Sequence, residues 1–135
     1  MNIKKHLSET AFFVNESRAR MADVSKDIYS HLWVTSDTKK LWEDFANKVY
    51  QHEDIELSIR NRYFLGHLEK ASNENDDLVF VNIASGFTSY PFLIEKNIKS
   101  VEIDLEHVIE FRKKKVEQWQ KEGKLPNRKI GCALI

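Results

Sequence analysis

Helices fill the first half of this chain and an alternating β-α-β-α-β pattern fills the second, which predicts an α/β protein built on a small parallel sheet. Three observations carry that reading. Apolar residues recur at helical spacing through the first half. The polar cluster Ser72-Asn73-Glu74-Asn75-Asp76-Asp77 then marks the clear change of character along the chain. Beyond it, short β-branched runs alternate with longer amphipathic ones, and connections of that length favour parallel strands joined by right-handed crossovers.

Each element follows from its own residues. From Glu16 to about Leu32, the residues Met21, Val24, Ile28 and Leu32 stand at helical spacing and predict a first helix. Ser36 or Asp37 is expected to cap a second, with Leu41, Trp42, Phe45, Ala46 and Val49 facing inward. Asp54 opens a third, whose core face reads as Ile55, Ile59, Tyr63, Phe64 and Leu68. Leu78 to Ile83 is short, apolar and β-branched, as a strand covered on both faces should be. Tyr90 to Lys96 reads as a short helix and Lys99 to Ile103 as the second strand. Leu105 to about Lys121 forms a helix with Leu105, Val108, Ile109, Arg112, Val116 and Trp119 along one side. Gly123, Pro126 and Asn127 interrupt it, and Lys129 to Ile135 follows as a third strand.

The expected organisation is a single unit over 1–135, with a helical layer over 1–77 and a sheet-bearing half over 78–135. That order is the first half of a doubly wound sheet. A three-stranded sheet wound one way should leave its first strand open on the outer side and its apolar faces only partly covered. Either a partner supplies the missing surface or the chain is a piece of a longer protein.

Composition narrows the function classes. A length of 135 residues suits one domain with a real core, and 41% hydrophobic with 31% charged residues is globular usage. Lys plus Arg equals Asp plus Glu, 21 against 21, so no net field draws the chain to nucleic acid or to an anionic membrane. The run Arg112-Lys113-Lys114-Lys115 lies among Glu106, Glu110 and Glu117 and reads as a solvated helix face. Cys132 is the single cysteine, which excludes an internal disulfide and makes a reducing cytoplasm the expected compartment. Lys4 and Lys5 precede no long apolar stretch, so neither a signal peptide nor a membrane span is expected.

The stretch Val79 to Asp104 carries the chemistry. An apolar strand enters the small-residue loop Ala84-Ser85-Gly86, and a second strand delivers Glu102 and Asp104. This arrangement is the front half of a nucleotide-type cofactor site: backbone approaches the ligand at the turn, and an acid after the next strand accepts hydrogen bonds from ribose hydroxyls. One of the two acids would take that role, and Asp104, directly before Leu105-Glu106, could equally cap the following helix. The three spaced glycines of a dinucleotide fingerprint are missing, which disfavours a dinucleotide-dependent oxidoreductase. The histidines (His6, His31, His52, His67, His107) show no metal-ligand spacing. Cys132 reads as strand core, Trp33, Trp42 and Trp119 as packing, and Ser85 lacks the flanks of a hydrolase elbow.

Four segments, in order along the chain, resemble the leucine carboxyl methyltransferase family of S-adenosylmethionine-dependent O-methyltransferases, which includes polyketide-associated members. Thr10-Ala11 with Arg18-Ala19 is similar to the family's opening TA…RA segment. Ile59-Arg60-Asn61-Arg62-Tyr63-Phe64 is similar to its R-x-R-Y/F helix. Val81 to Ser89 resembles VNLGAGLDT, and Val101 to Ile109 resembles FEVDLPEVI. The resemblance implies a Rossmann-like methyltransferase sheet, of which this chain holds the N-terminal, cofactor-binding half. It implies S-adenosylmethionine as cofactor and methyl transfer to a carboxyl or hydroxyl acceptor. Asp104 would hold the ribose, with Glu102 as the competing choice. Gly86 and Ala84, with Ser85 between them, would lie under the methionine part, and Arg60 or Arg62 would meet the cofactor carboxylate.

The chain departs from the pattern at Ala84, where the family has a glycine, and at Thr88 and Tyr90, where it has Asp and Arg. The acceptor-binding residues of the family fall beyond Ile135, so the acceptor, a small molecule or a protein carboxylate, stays unnamed. The alternative expectation is a non-catalytic, truncated or degenerate methyltransferase-like domain that pairs with a second copy through its open sheet edge.

Overall fold

A computed structural model describes residues 9–135; the N-terminal Lys4, Lys5 and His6 lie outside the described residues. The chain is a mixed α/β protein. Its elements are α1 (Glu9–Arg20), α2 (Ala22–Ser25), a 3-10 turn (Ser30–Trp33), α3 (Ser36–Lys48), α4 (Glu53–Glu74), β1 (Val79–Ile83), α5 (Tyr90–Leu93), β2 (Lys99–Asp104), α6 (Glu106–Lys121) and β3 (Ile130–Leu134). The strands form one parallel sheet in the order β1-β2-β3, as the alternating pattern predicts.

The first half differs most from expectation. No single helix runs from Glu16 to Leu32: α1 begins earlier and ends at Arg20, and Lys26 turns left-handed at φ 61°. The cause is a polar interior. Helix α1 buries Asn15, Glu16, Ser17 and Arg18, a face that a search for apolar periodicity cannot find. Each of these groups is partnered inside. Asn15 Nδ2 donates to Ser30 O at 3.0 Å, Trp42 Nε1 to Ser17 Oγ at 2.8 Å, and Arg18 Nε to Asp27 Oδ2 at 3.0 Å. Complete pairing is what makes such burial tolerable.

Helix α4 is correspondingly rotated. It meets α1 and α2 through Leu57, Ser58 and Asn61, with Ser58 Oγ donating to Ser17 O and Asn61 Nδ2 to Ser25 O. The residues read as its core face, Ile55, Ile59, Tyr63 and Phe64, are instead exposed, at 39, 56, 62 and 53%. Only Leu68 of that set packs inward, beside the small core of Leu65, Ile94 and Ile98. Helix α3 starts one residue earlier than expected. Its cap is Thr35, whose Oγ1 accepts from Thr38 N while Thr35 N donates to Thr38 Oγ1, a closed capping box. Trp42 and Ala46 are buried and Val49, beyond the last turn, is exposed.

The larger core lies where the 3-10 turn, the β1–α5 loop and α6 meet, with Trp33, Phe87, Phe92, Val108, Val116, Trp119 and Leu125 buried together. The inward face of α6 is the one expected from the sequence, apart from Leu105, which precedes the helix and is exposed. Arg112 belongs to that face and is buried, so only the lysines of the basic run remain for solvent.

Alternation along the strands puts Phe80, Asn82, Ser100 and Glu102 on one face and Val79, Val81 and Ile83 on the other. Helices α4 and α6 cover the first face. The second is open: Val79, Val81 and Ile83 are 49, 50 and 69% exposed. The strand β1 is therefore not covered on both faces. The expectation of an open first strand and a partly covered apolar sheet holds. Cys132, read as core, is exposed on the edge strand β3.

Candidate functional site

At the C-terminal ends of β1 and β2 the chain encloses a cavity of about 310 Å³ beneath α1 and α4. The loop Ala84-Ser85-Gly86 and Asp104 line it from the strand ends, Arg18 from α1, Arg60 from α4 and Tyr90 from the start of α5. Of the residues singled out in the sequence, Asp104, Ala84, Ser85, Gly86 and Arg60 line this one space. Glu102 and Arg62 do not.

The loop is shaped by backbone conformation. Ala84 and Gly86 both lie in the left-handed region, at φ 54° and 49°. A Cβ on Gly86 would sit 3.6 Å from the Ala11 Cβ, an ordinary contact, so the glycine answers to the dihedral rather than to space. Ser85 N donates to Ile103 O at 3.3 Å, which carries the loop from the end of β1 across to β2. Thr88 Oγ1 closes the next turn, donating to Ser85 O at 3.0 Å while Asn82 Nδ2 donates to it at 2.7 Å.

Asp104 binds this loop directly. Its Oδ2 accepts from Gly86 N at 2.8 Å and its Oδ1 from Leu105 N at 2.7 Å. A carboxylate offers about two acceptor directions on each oxygen. With one used on each, two remain, a number and spacing suited to a vicinal diol. The helix-capping role expected as an alternative is not taken, since the cap of α6 is Leu105 and no side chain closes it.

Glu102 lies one register position deeper on the same sheet face, and is 2% exposed. Arg112 Nε donates to its Oε2 and Arg112 Nη2 to its Oε1, both at 2.6 Å. The same Nη2 reaches Thr88 O at 2.6 Å, so this acid positions the loop rather than facing the cavity. Arg62, two residues from Arg60, points to a separate surface groove beside Tyr63 and His67. Residues two apart on a helix stand about 200° from each other, which is why one arginine reaches the cavity and the other does not.

Sequence reasoning missed Arg18 and Arg112. Arg18 Nη2 donates to Phe87 O at 3.1 Å and to Asn15 Oδ1 at 3.3 Å, while its Nε holds Asp27. Consecutive loop carbonyls, of Phe87 and Thr88, are thus each held by a buried guanidinium with its own carboxylate. The Arg18-Ala19 segment was the available signal for the first. For the second, an arginine in the apolar row of α6 was the signal.

Two further groups face the cavity. Ser85 Oγ is 1% exposed as a residue and has no hydrogen-bond partner among the described residues, a donor and acceptor left for something else. Burial raises the Tyr90 phenol above its usual pKa, partly offset by the positive charges of Arg18 and Arg60, so it stays protonated at neutral pH. Among the described residues no cluster of three His, Cys, Asp or Glu side chains could hold a metal ion, and no helix is long and apolar enough to cross a membrane.

Comparison of the chain with protein-family models and with curated proteins finds no match.

Proposed function

We propose that this chain is the cofactor-binding half of an S-adenosylmethionine-dependent O-methyltransferase, with a Rossmann-like sheet begun by β1, β2 and β3. The observation that carries the reading is the Asp104 carboxylate at the end of β2, fixed by Gly86 N at 2.8 Å with an acceptor direction left on each oxygen. The residues around it fit the group. Asp104 would hold the ribose hydroxyls, the Ala84-Ser85-Gly86 backbone would lie against the methionine part with Ser85 Oγ as a hydrogen-bonding group, and Arg60 would meet the carboxylate. When bound, the cofactor supplies a methyl group on a sulfonium, ready for in-line displacement. The chain's own contribution is then orientation and exclusion of water, with little acid–base chemistry required.

Calorimetric titration of the full chain with S-adenosylhomocysteine tests the reading. Binding is expected, with Asp104→Ala weakening it by about tenfold or more, since a charge-assisted hydrogen bond contributes roughly 1.5–3 kcal/mol. A folded chain that takes up no ligand at millimolar concentration would overturn it.

The open sheet supports a second reading, a non-catalytic domain that pairs with another copy through β1. Val79, Val81 and Ile83 form an exposed apolar row next to an unpartnered strand edge. Sedimentation decides it: a dimer that dissociates on Val81→Lys supports pairing, and a monomer at high concentration rejects it.

A further inference from the structure

A second cavity, of about 570 Å³, lies between α1, the 3-10 turn, α3 and α6. Phe12, Leu32, Trp33, Leu41, Phe111 and Trp119 form its walls. This is within the size range of small-molecule sites, and its aromatic lining is of the usual kind for one. Trp33 and Trp119 meet edge to face, with centroids 4.6 Å apart at 86°, which fixes two flat surfaces at right angles. Hydrogen-bonding capacity is also left over. Trp42 Nε1 donates to Ser17 Oγ, whereas the indole N–H groups of Trp33 and Trp119 have no acceptor among the described residues and neither is sealed from its surroundings. Charges of both signs ring the mouth, Glu9, Asp37 and Asp44 with Lys40 and Lys115, and Lys40 Nζ lies 3.3 Å from Asp44. A charged ligand would lose its hydration against these apolar walls, which favours an uncharged one.

We propose that this cavity is a binding site for an uncharged, planar aromatic small molecule of two or three rings that carries an oxygen acceptor. The rings would stack on the aromatic walls and the oxygen would accept from an indole N–H. The site stands apart from the first cavity but shares a wall with it. Trp33, on one side, stacks on Phe87, on the other, at 4.2 Å and 14°. A ligand that moves Trp33 therefore presses on the loop whose next carbonyl Arg112 holds. The proposal does not depend on what the first cavity binds.

The test uses the full chain labelled with nitrogen-15, whose three tryptophans give three indole N–H resonances. The probe is 2-acetylnaphthalene, compared with 2-naphthoate and 2-(aminomethyl)naphthalene. Saturable shifts of the Trp33 and Trp119 indoles are expected while Trp42 stays in place, with both charged analogues binding at least tenfold more weakly. Leu41→Trp, which fills the space, should weaken binding tenfold or more. Equal movement of all three indoles, no movement at millimolar probe in a folded spectrum, or charged analogues binding as well as the ketone would each overturn the proposal. So would unchanged affinity in Leu41→Trp. If that variant does not fold, the indole pattern and the ranking of the three probes decide alone.

Discussion

Arg112 grips Glu102 through two hydrogen bonds of 2.6 Å, and both side chains are 3% exposed. A third bond, to Thr88 O, ties the pair to the cavity loop. One guanidinium thereby joins the middle of β2, the helix α6 and the loop after β1. Arg18 does the equivalent work from α1, joining Asp27, Asn15 and Phe87 O. Burial of such ions is tolerable only when every partner is present.

Breaking the Arg112 pair should therefore cost more than removing it whole. Arg112→Met leaves Glu102 charged and unpaired and is expected to cost about 3–5 kcal/mol, as is Glu102→Leu. The double variant should lie well short of the sum, by roughly 2 kcal/mol or more. Urea denaturation of the three variants measures this. Single-variant losses below about 1 kcal/mol, or strict additivity, would show that the pair does not hold the loop.

Ala84 occupies a conformation that suits glycine. At φ 54° its Cβ crowds the following carbonyl, a strain of roughly 1–2 kcal/mol for an L-residue. Ala84→Gly relieves it but adds freedom to the unfolded chain, so the net gain is expected at about 0.5–1 kcal/mol. Gly86→Ala, at φ 49° with ordinary space around it, should lose about 1 kcal/mol by strain alone. Midpoints of urea unfolding report both. A gain for Gly86→Ala would refute the dihedral argument.

What the sequence disclosed and what it hid have physical causes. Strands and their parallel pairing were legible because β-branched runs alternate with helical spacing after Asp77. The inward face of α6 was legible because Val108, Ile109, Val116 and Trp119 are apolar at regular intervals. The packing of the first helices was not, since Ser58 bonds Ser17 of α1, Asn61 bonds Ser25 of α2 and Asn15 bonds Ser30 of the 3-10 turn, while Ile59, Tyr63 and Phe64 face solvent. Periodicity read through apolar residues alone gives the wrong face there. At the site, the loop and Asp104 were legible from the strand–loop–strand order. Glu102 and Asp104 share a sheet face, and only the coverage by α6 separates a buried ion pair from a cavity-facing acid.

The two arginines of α4 now make distinct predictions. Arg60 lines the cavity and Arg62 the outer groove, so Arg60→Ala should weaken S-adenosylhomocysteine binding by about tenfold and Arg62→Ala by less than twofold. Both side chains are exposed, so neither change should alter stability by more than about 0.5 kcal/mol. Removing the ligand's carboxylate, as in 5′-methylthioadenosine, should erase the difference between Arg60→Ala and the unmodified chain. A larger loss from Arg62→Ala than from Arg60→Ala would reverse the assignment.

Glu16 gives stability a pH dependence with a definite sign. It is 2% exposed and accepts a hydrogen bond from Thr38 Oγ1 at 3.0 Å. Burial raises its carboxyl pKa above the usual 4.5, and the Thr38 hydrogen bond and the charges of Arg20 and Lys39 offset only part of that. Between the unfolded value and the raised folded one, the folded chain binds more protons than the unfolded chain. Stability from this group is thus fully present below the unfolded pKa and lost as pH rises through the folded one. Glu16→Gln keeps the shape and an acceptor oxygen for Thr38 but cannot ionise. Relative to the unmodified chain it should be nearly neutral at about pH 4 and become progressively more stabilising toward about pH 7. Taking the difference between the two proteins cancels the other titrating groups, among them Asp76 and Glu122, whose lowered values act in the opposite direction. Urea midpoints measured across that range test it, and a stability difference that stays constant with pH would rule out a raised Glu16.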